Sequence, residues 1–308
     1  MKRASLLATL LVYATLPAQI IAGDSSAPLG AEAWFVAVLP PPGTYFVNYL
    51  AYYQSDKLKD ENGHTALDID FNVNVVAEVP RLFYISDIKI LGGNLAGHIV
   101  VPIVYQEMKL KPPVGGFTED HFGLGDMVFS PFVIGWHSKL FHWVVGLDFI
   151  APTGQYDKED YAPIGANHWT FEPWGAISLI HPSGISASIK LGYDIHTENT
   201  DAIWHYGETE EKVDYLTGQQ FHFDYNAGIE VVTGLRLGVC GYFLKGLQND
   251  KIDGEEVEGS REMVFAIGPS ALYNINPTTL ITVKAQFEME AENRPQGSYI
   301  WIKTLYGF

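Results

Sequence analysis

The chain has 308 residues and a formal net charge of −17, with 47% hydrophobic and 13% aromatic residues. This acidic balance argues against a nucleic acid partner, because phosphate binding needs a basic patch. Beyond the N-terminal region no run of 18 or more apolar residues occurs, which excludes a bundle of membrane-spanning helices. The single cysteine, Cys240, cannot form an internal disulfide, and we expect it to pack in the wall of the fold.

The first 22 residues have the pattern of a secretory signal peptide. Lys2 and Arg3 precede a stretch rich in Leu, Ala and Val that ends at Ala22. A basic start, an apolar middle and a small residue at the cut are the features of such a signal. We predict cleavage after Ala22, with Ala27 as the alternative, and assign residues 1–22 to the signal peptide.

A short segment separates the signal from the first strand. It contains an apolar stretch at 33–38 and ends in Pro40, Pro41, Pro42 and Gly43. Three prolines cannot extend a sheet ladder, so they mark a rigid stop. We interpret residues 23–43 as an N-terminal segment that is either periplasmic or plugs the lumen of the domain at 44–308.

From residue 44 onward, polar and apolar residues alternate with a period of two. In segment 279–290, for example, Ile281, Val283 and Ala285 interleave with Thr282 and Lys284. Such long alternation exceeds a typical soluble strand and fits a tilted membrane strand. It predicts an all-β fold, a transmembrane antiparallel β-barrel of about 12 strands. The candidate strands are 44–54, 66–79, 94–107, 123–136, 141–152, 168–181, 184–197, 217–232, 235–247, 262–274, 279–290 and 297–308.

The connections alternate between long, charged links and short turns. Long links are predicted at 55–65, 108–122, 153–167, 198–216 and 248–261, and short turns at 137–140, 182–183, 233–234 and 275–278. Short periplasmic turns and longer outer loops are typical of outer-membrane barrels, and an even strand count places both termini in the periplasm. Two links fit less well, since 80–93 is long for a turn and 291–296 is short for an outer loop.

Four prolines lie inside proposed strands: Pro102, Pro131, Pro173 and Pro269. Proline normally marks an edge or a bulge, and a closed barrel has no edge. We therefore expect bulges or local constriction of the wall at these positions.

The chain stops at Phe308, directly after an alternating strand and without a polar tail. A terminal aromatic residue is the usual end of the closing strand of a bacterial outer-membrane barrel. We expect this strand to pair with 44–54, which removes both sheet edges. The alternative is an ordinary edge strand with a buried last residue.

Several short motifs resemble one family of outer-membrane proteins. They are Leu39-Pro40-Pro41-Pro42-Gly43-Thr44-Tyr45, Gly123-Leu124-Gly125-Asp126, Ala151-Pro152-Thr153-Gly154-Gln155-Tyr156-Asp157, Leu191-Gly192-Tyr193-Asp194, the run Tyr215 to Asp224, and Gly268-Pro269. In this order and spacing, and with the terminal aromatic, they resemble the meta-pathway phenol-degradation family. The resemblance implies a barrel that acts as an uptake channel and whose C-terminal strand is read by the barrel-assembly machinery. It implies no substrate and no set of functional residues.

If apolar residues face lipid, the polar residues of each strand face the lumen. On strand 66–79 this places Asp68 and Asp70 inside. The candidate lining of a substrate path comprises Asp126, Glu172, Trp174, Lys190, Asp194, His222, Asp224, Arg236, Lys284, Trp301 and Lys303. A salt-bridged, water-filled interior without a specific path is the alternative interpretation.

No metal ion or other cofactor is predicted. Histidines 142, 168, 196 and 222 occupy inward positions, but no two have helical i, i+4 spacing and no cysteine accompanies them. Arg236 and Lys284, if they face acids on 66–79 and 123–152, would favour dipolar or anionic solutes, with Trp301 as a stacking surface.

Three classes of function remain open. The first is an outer-membrane channel for small, possibly aromatic, hydrophobic or anionic molecules. The second is a barrel hydrolase, which the scattered serines and the lack of a Gly-x-Ser-x-Gly motif disfavour, so we expect no enzyme. The third is a structural or adhesin barrel. Expected partners are outer-membrane lipid and lipopolysaccharide, which the acidic loops 198–216 and 250–262 would contact through divalent ions unless they are only a solvated surface.

Overall fold

The structure is a computed structural model that describes residues 29–65, 70–111, 116–206, 209–276 and 278–308. The predicted signal peptide lies outside these ranges, as do residues 23–28 of the predicted N-terminal segment and Asp68. No helix within the described ranges is long and apolar enough to cross a membrane.

The described residues form strands joined by turns and loops. The strands are β1 (Gly43–Ser55), β2 (Asp70–Ile90), β3 (Gly93–Val100), β4 (Ile103–Lys111), β5 (Phe117–Leu124), β6 (Met127–His137), β7 (Phe141–Ala151), β8 (Thr170–Ile180), β9 (Ile185–His196), β10 (Asn199–Tyr206), β11 (Thr209–Leu216), β12 (Gln220–Val232), β13 (Leu235–Gly246), β14 (Lys251–Ile252), β15 (Glu255–Glu256), β16 (Met263–Asn276), β17 (Thr279–Glu292) and β18 (Ser298–Gly307).

Antiparallel pairing closes these strands into a barrel. β1 pairs with β18 on one side and with β2 on the other, so the sheet has no free edge there. β3 and β4 both pair with β2 and form two halves of one wall strand. β6 pairs with β3 and β5 pairs with β4, so β5 and β6 form the two halves of the next wall strand. The wall therefore has twelve antiparallel strands, which confirms the predicted architecture. Strands β10, β11, β14 and β15 form a separate four-stranded sheet in the loops.

The long and short connections lie at opposite ends of the barrel. At the turn end, short connections at 91–92, 138–140, 181–184, 233–234 and 277–278 join successive strands. The predicted long link 80–93 was wrong, because β2 continues to Ile90 and only Leu91 and Gly92 join it to β3. Both have positive φ, 50° and 83°, as a two-residue hairpin turn requires. Apart from the interruptions at 101–102 and 125–126, which lie within the wall, the other connections form the loop end.

The four wall prolines have different effects. Pro131 lies at a register shift between β6 and β7, which confirms the predicted bulge. Pro102 lies in the interruption between β3 and β4. Pro173 and Pro269 each leave a gap in the pairing with one neighbour but shift no register, so no bulge occurs there and the alternative, a local constriction of the wall, stays a prediction. A missing N–H removes one ladder bond without inserting a residue.

The wall has an apolar outer face over most of its height. On β17 and β18 the outward residues Val283, Phe287, Ile300 and Ile302 are exposed, while the alternate residues, such as Lys284, are buried. This is the arrangement expected of a lipid-facing wall.

The first nine residues of β2 reverse this arrangement. Phe71 and Val73 are buried, whereas Asp70 and Glu78 are exposed, so the predicted lumen position of Asp70 was wrong. The outward residues of β4 and β5 that lie beside the beginning of β2 are also polar and include Glu107, Lys111 and Asp120, whereas Tyr105 and Phe122, beside Val76, are aromatic. Because charged residues are costly in hydrocarbon, we place this section of the wall beyond the bilayer, where the outer face meets water.

Candidate functional site

The segment before β1 lies against the inner wall of the barrel. Gly30 and Glu32 donate their backbone N–H groups to the Asp224 carboxylate, each over 2.9 Å. Further along, the N–H groups of Phe35 and Ala37 donate to inward serine hydroxyls of β9 and β8. Hydrogen bonds from an unpaired backbone to inward side chains fix residues 29–42 in the lumen.

Lys284 binds the same segment through its carbonyl groups. Its ammonium group donates to the carbonyls of Gly30, Ala31 and Glu32, the latter two over 2.7 and 3.4 Å. It also lies 5.2 Å from the ring centre of Trp301. Asp224 and Lys284 thus engage the donors and the acceptors of one short stretch of backbone.

The Glu32 side chain forms the tightest contact of the segment with the wall. One carboxylate oxygen accepts from the Tyr49 hydroxyl at 2.9 Å and from Arg81 at 2.8 Å, and the other accepts from Lys303 at 2.6 Å. Burial opposes ionisation here, but Lys303 and Arg81 outweigh it and hold the pKa of Glu32 well below its ordinary value. Charge-assisted bonds of this kind are among the strongest hydrogen bonds.

Two glycines make room for the segment's tryptophan. A Cβ on Gly228 of β12 would overlap the Trp34 ring, and one on Gly238 of β13 would lie 2.9 Å from it. Next to it, Phe35 lies 5.2 Å below the Arg236 guanidinium. The absence of side chains at the two glycines therefore leaves space for the Trp34 ring against the wall.

Glu32 lies between two cavities in the lumen. The larger, on the loop side, has a volume of about 340 Å³, and the smaller has about 240 Å³. Glu32, Tyr49, Arg81, Asp148 and Lys190 line both. These five side chains form a charged constriction, which we call the waist.

The larger cavity has an apolar side and a charged side. Its apolar side includes Val75, Ala77 and Val79 of β2, the residues whose face is reversed relative to the sequence expectation. Tyr49, Tyr53, Tyr299 and Trp301 add aromatic surface, and Tyr299 stacks on Trp301 with ring centres 5.3 Å apart. Such a surface accommodates small apolar or aromatic molecules.

The charged side is paired within itself. Lys190 donates to Glu172 at 2.7 Å and lies 5.1 Å from the centre of the Trp174 ring. Trp174 in turn donates its indole N–H to Asp148 at 2.7 Å. Besides two histidines, the larger cavity is lined by one arginine, one lysine and five acids, namely Arg81 and Lys190 against Glu32, Asp126, Asp148, Glu172 and Asp224. This balance does not favour an anionic solute.

The residues predicted to line a substrate path are divided among different surroundings. The larger cavity is lined by Asp126, Glu172, Lys190, His222, Asp224 and Trp301, and the smaller one by Trp174, Lys190 and Lys303. Asp194, Arg236 and Lys284 line neither cavity. Arg236 binds Glu230 and the Gly184 carbonyl, each over 2.7 Å.

Asp126 lies in the interruption between β5 and β6, and its side chain binds a loop. It accepts N–H groups of Gly154 at 2.7 Å and Ala166 at 2.8 Å and so fixes the connection between β7 and β8.

Sequence reasoning missed three residues of the waist. Arg81 fell in the predicted link 80–93, and Tyr49 was assigned no role. Glu32 is an acid directly before the apolar stretch 33–38, and this isolated charge was a usable signal.

A family model described as "Putative MetA-pathway of phenol degradation" matches residues 55–304. The chain belongs to this family. The resemblance inferred from the short motifs is thereby confirmed.

Solved structures agree with the fold of this phenol-degradation family member. An outer membrane channel from Pseudomonas putida F1 aligns with a TM-score of 0.77 at 16% identity, covering 90% of this chain and 99% of that chain. The transport unit of the autotransporter AIDA-I from Escherichia coli aligns with a TM-score of 0.53 at 7% identity, covering 89% and 94%. No curated protein matches the chain. The protein is therefore a β-barrel of the bacterial outer membrane.

Proposed function

We propose that this protein is an outer-membrane channel for small, mainly apolar molecules, aromatic ones included. The observation that carries the proposal is the larger cavity, whose β2 side is apolar and whose opposite side has aromatic and internally paired polar groups. A phenol-like molecule could place its ring against Val75 and Val79 and its hydroxyl toward the charged side. The family description and the Pseudomonas putida protein, which is called an outer membrane channel, support a transport role.

Residues 29–42 act in this proposal as a lumenal plug. The waist formed around Glu32 separates the two cavities, so passage requires the segment to move or the waist to loosen. The loop end faces the outside of the cell, and the turn end, where β1 begins and β18 ends, faces the periplasm. No catalytic role is proposed.

The pairing of the lumenal cations with acids predicts that the channel prefers neutral solutes to anionic ones. Arg81 is bound to Glu32 and Lys190 to Glu172, while Asp70, one of the acids expected to oppose Arg236 and Lys284, faces outward. The lining therefore offers no surplus positive charge to a carboxylate. We expect a neutral phenol to permeate faster than benzoate.

The test measures uptake of radiolabelled phenol, benzoate and glucose by intact cells with complete lipopolysaccharide. Cells making the protein should gain most in phenol uptake over cells without it. Val75→Asp should lower this gain several-fold, because it places a carboxylate in the apolar half of the cavity.

The neighbouring Val76→Asp is the matched control. Val76 faces outward between Asn74 and Glu78, so its replacement should leave uptake unchanged. Equal gains for phenol and glucose, or equal effects of the two substitutions, would contradict the proposal.

A further inference from the structure

Three ionisable residues from neighbouring strands meet at the charged side of the larger cavity. They are Glu172 of β8, Asp194 of β9 and His222 of β12. The register pairs Gly192 with both Trp174 and His222, and Asp194 with Gln220. The three side chains therefore come together on the inner face although they are far apart in sequence.

Gly192 positions the imidazole between the two carboxylates. A Cβ at this position would overlap the Cε1 and Nε2 atoms of His222 and would lie 2.8 Å from a Glu172 oxygen. The ring thus reaches across β9 into the space that a side chain would occupy. A glycine in a strand interior commonly marks such a close approach.

The two distances from the imidazole suit a bound cation better than hydrogen bonds, and the three ligand atoms all lie within 4.8 Å of one another. His222 Nε2 lies 3.5 Å from Asp194 Oδ1 and 3.7 Å from Glu172 Oε1. Hydrogen bonds to nitrogen are typically about 2.7–3.2 Å long. Two ligands of a tetrahedral ion with bonds of about 2.1 Å lie about 3.4 Å apart.

The Asp194 carboxylate and the Nε2 atom of His222 form no hydrogen bond, although they contact each other as an ion pair at 3.5 Å. Asp194 is 0% exposed and His222 is 4% exposed. Buried polar atoms are almost always satisfied, so such a group calls for an explanation. An ion between them would satisfy all three atoms.

The local charge also admits a cation. With the imidazole neutral, as a metal ligand must be, Glu172 and Asp194 carry two negative charges and Lys190 offsets one of them. Lys190 contacts the Glu172 oxygen that faces His222, so it would share this oxygen with a metal. Glu172 and His222 border the cavity, which provides a route for the ion.

We propose that Glu172, Asp194 and His222 form a site for a divalent first-row transition metal, with Zn²⁺ as the probe. One imidazole nitrogen and two carboxylate oxygens supply three ligands and leave a fourth position for water. The metal would join β8, β9 and β12 at the charged side of the larger cavity. Helical spacing rules could not reveal the site, because its ligands are related by strand register.

The test titrates ZnCl₂ into the purified, tag-free barrel in detergent after EDTA treatment, by calorimetry. One equivalent should bind. Asp194→Asn and His222→Gln should each weaken binding more than about tenfold. Lys190→Gln should tighten it, since a neighbouring positive charge is removed. Cobalt absorption of the wild-type protein, with the visible bands of a tetrahedral ion, gives a readout that does not depend on variants.

His98→Gln is the matched control, because His98 is a buried histidine on the same cavity and lies beside a single carboxylate, Asp148. It should leave zinc binding unchanged, and heat-modifiable gel migration should show that every variant is folded. Failure of the wild-type protein to bind zinc saturably would overturn the proposal. Binding that survives in folded Asp194→Asn and His222→Gln would overturn it as well.

Discussion

Glu32 receives hydrogen bonds from three different wall strands at once. Tyr49 belongs to β1, Arg81 to β2 and Lys303 to β18, and these strands flank the seam where the barrel closes. One carboxylate therefore joins the plug to the closing strands. Breaking a buried charged pair by removing one partner is far more disruptive than losing a surface pair.

Replacing Glu32 with Ala should loosen the plug and raise the conductance of the purified protein in planar bilayers. The reason is that Arg81 and Lys303 lose their shared acceptor and repel each other. Glu288→Gln is the control, since Glu288 is another buried acid and accepts hydroxyl bonds from Tyr53 and Tyr242. Equal conductance of Glu32→Ala and wild type would mean that this contact does not hold the plug.

The same contact predicts a pH response. A carboxyl group whose pKa is depressed in the folded protein stabilises it above the ordinary pKa, and this contribution is lost as pH falls through the depressed value. Lowering the pH from 7 to 5 should therefore leave the conductance of the wild-type protein unchanged. Opening already in that interval would contradict the assignment of Glu32 as a strongly held anion.

At the level of single residues, the sequence predicted charged and aromatic inward positions but not their partners. Lys284 was expected to face a solute, yet it binds backbone carbonyls of a segment more than 250 residues earlier. Asp224 is likewise bound to that segment. Such contacts depend on the folded path of the N-terminal residues, and no local pattern encodes that path.

At the level of elements, period-two alternation located the strands because it is a local property of the chain. The alternation did not predict whether a given face contacts lipid, water or the lumen. On β17 the apolar face meets lipid, whereas on the first nine residues of β2 the apolar face lines the cavity. The difference depends on the height of each strand relative to the bilayer, which is set by the whole barrel.

Arginine substitution can measure this difference. Val283 and Val76 both face outward, with exposures of 46% and 42%. Val283→Arg should lower the free energy of unfolding by about 2–4 kcal/mol if it lies near the midplane, whereas Val76→Arg should cost less than about 1 kcal/mol. Urea unfolding in lipid vesicles provides the measurement. Similar losses at the two positions would place the start of β2 inside the bilayer.

At the level of the whole molecule, the separation of long and short connections defines two different ends. We expect the loop end to face outward. Glu255→Cys, in the exposed loop hairpin, should react with a membrane-impermeant maleimide on intact cells, and Thr233→Cys, in a turn, should react only after lysis. Native Cys240 is 0% exposed and gives no background. Labelling of the Thr233→Cys variant in unbroken cells would reverse the orientation.

The enclosed N-terminal segment adds contacts between the two ends of the chain. Its partners Lys284 and Lys303 lie on β17 and β18, the last two strands, and β1, which follows the segment directly, pairs with β18. Docking of the segment and closure of the seam therefore depend on the same late-synthesised strands. Contacts of such large sequence separation form slowly, so we expect these two events to limit the rate of folding.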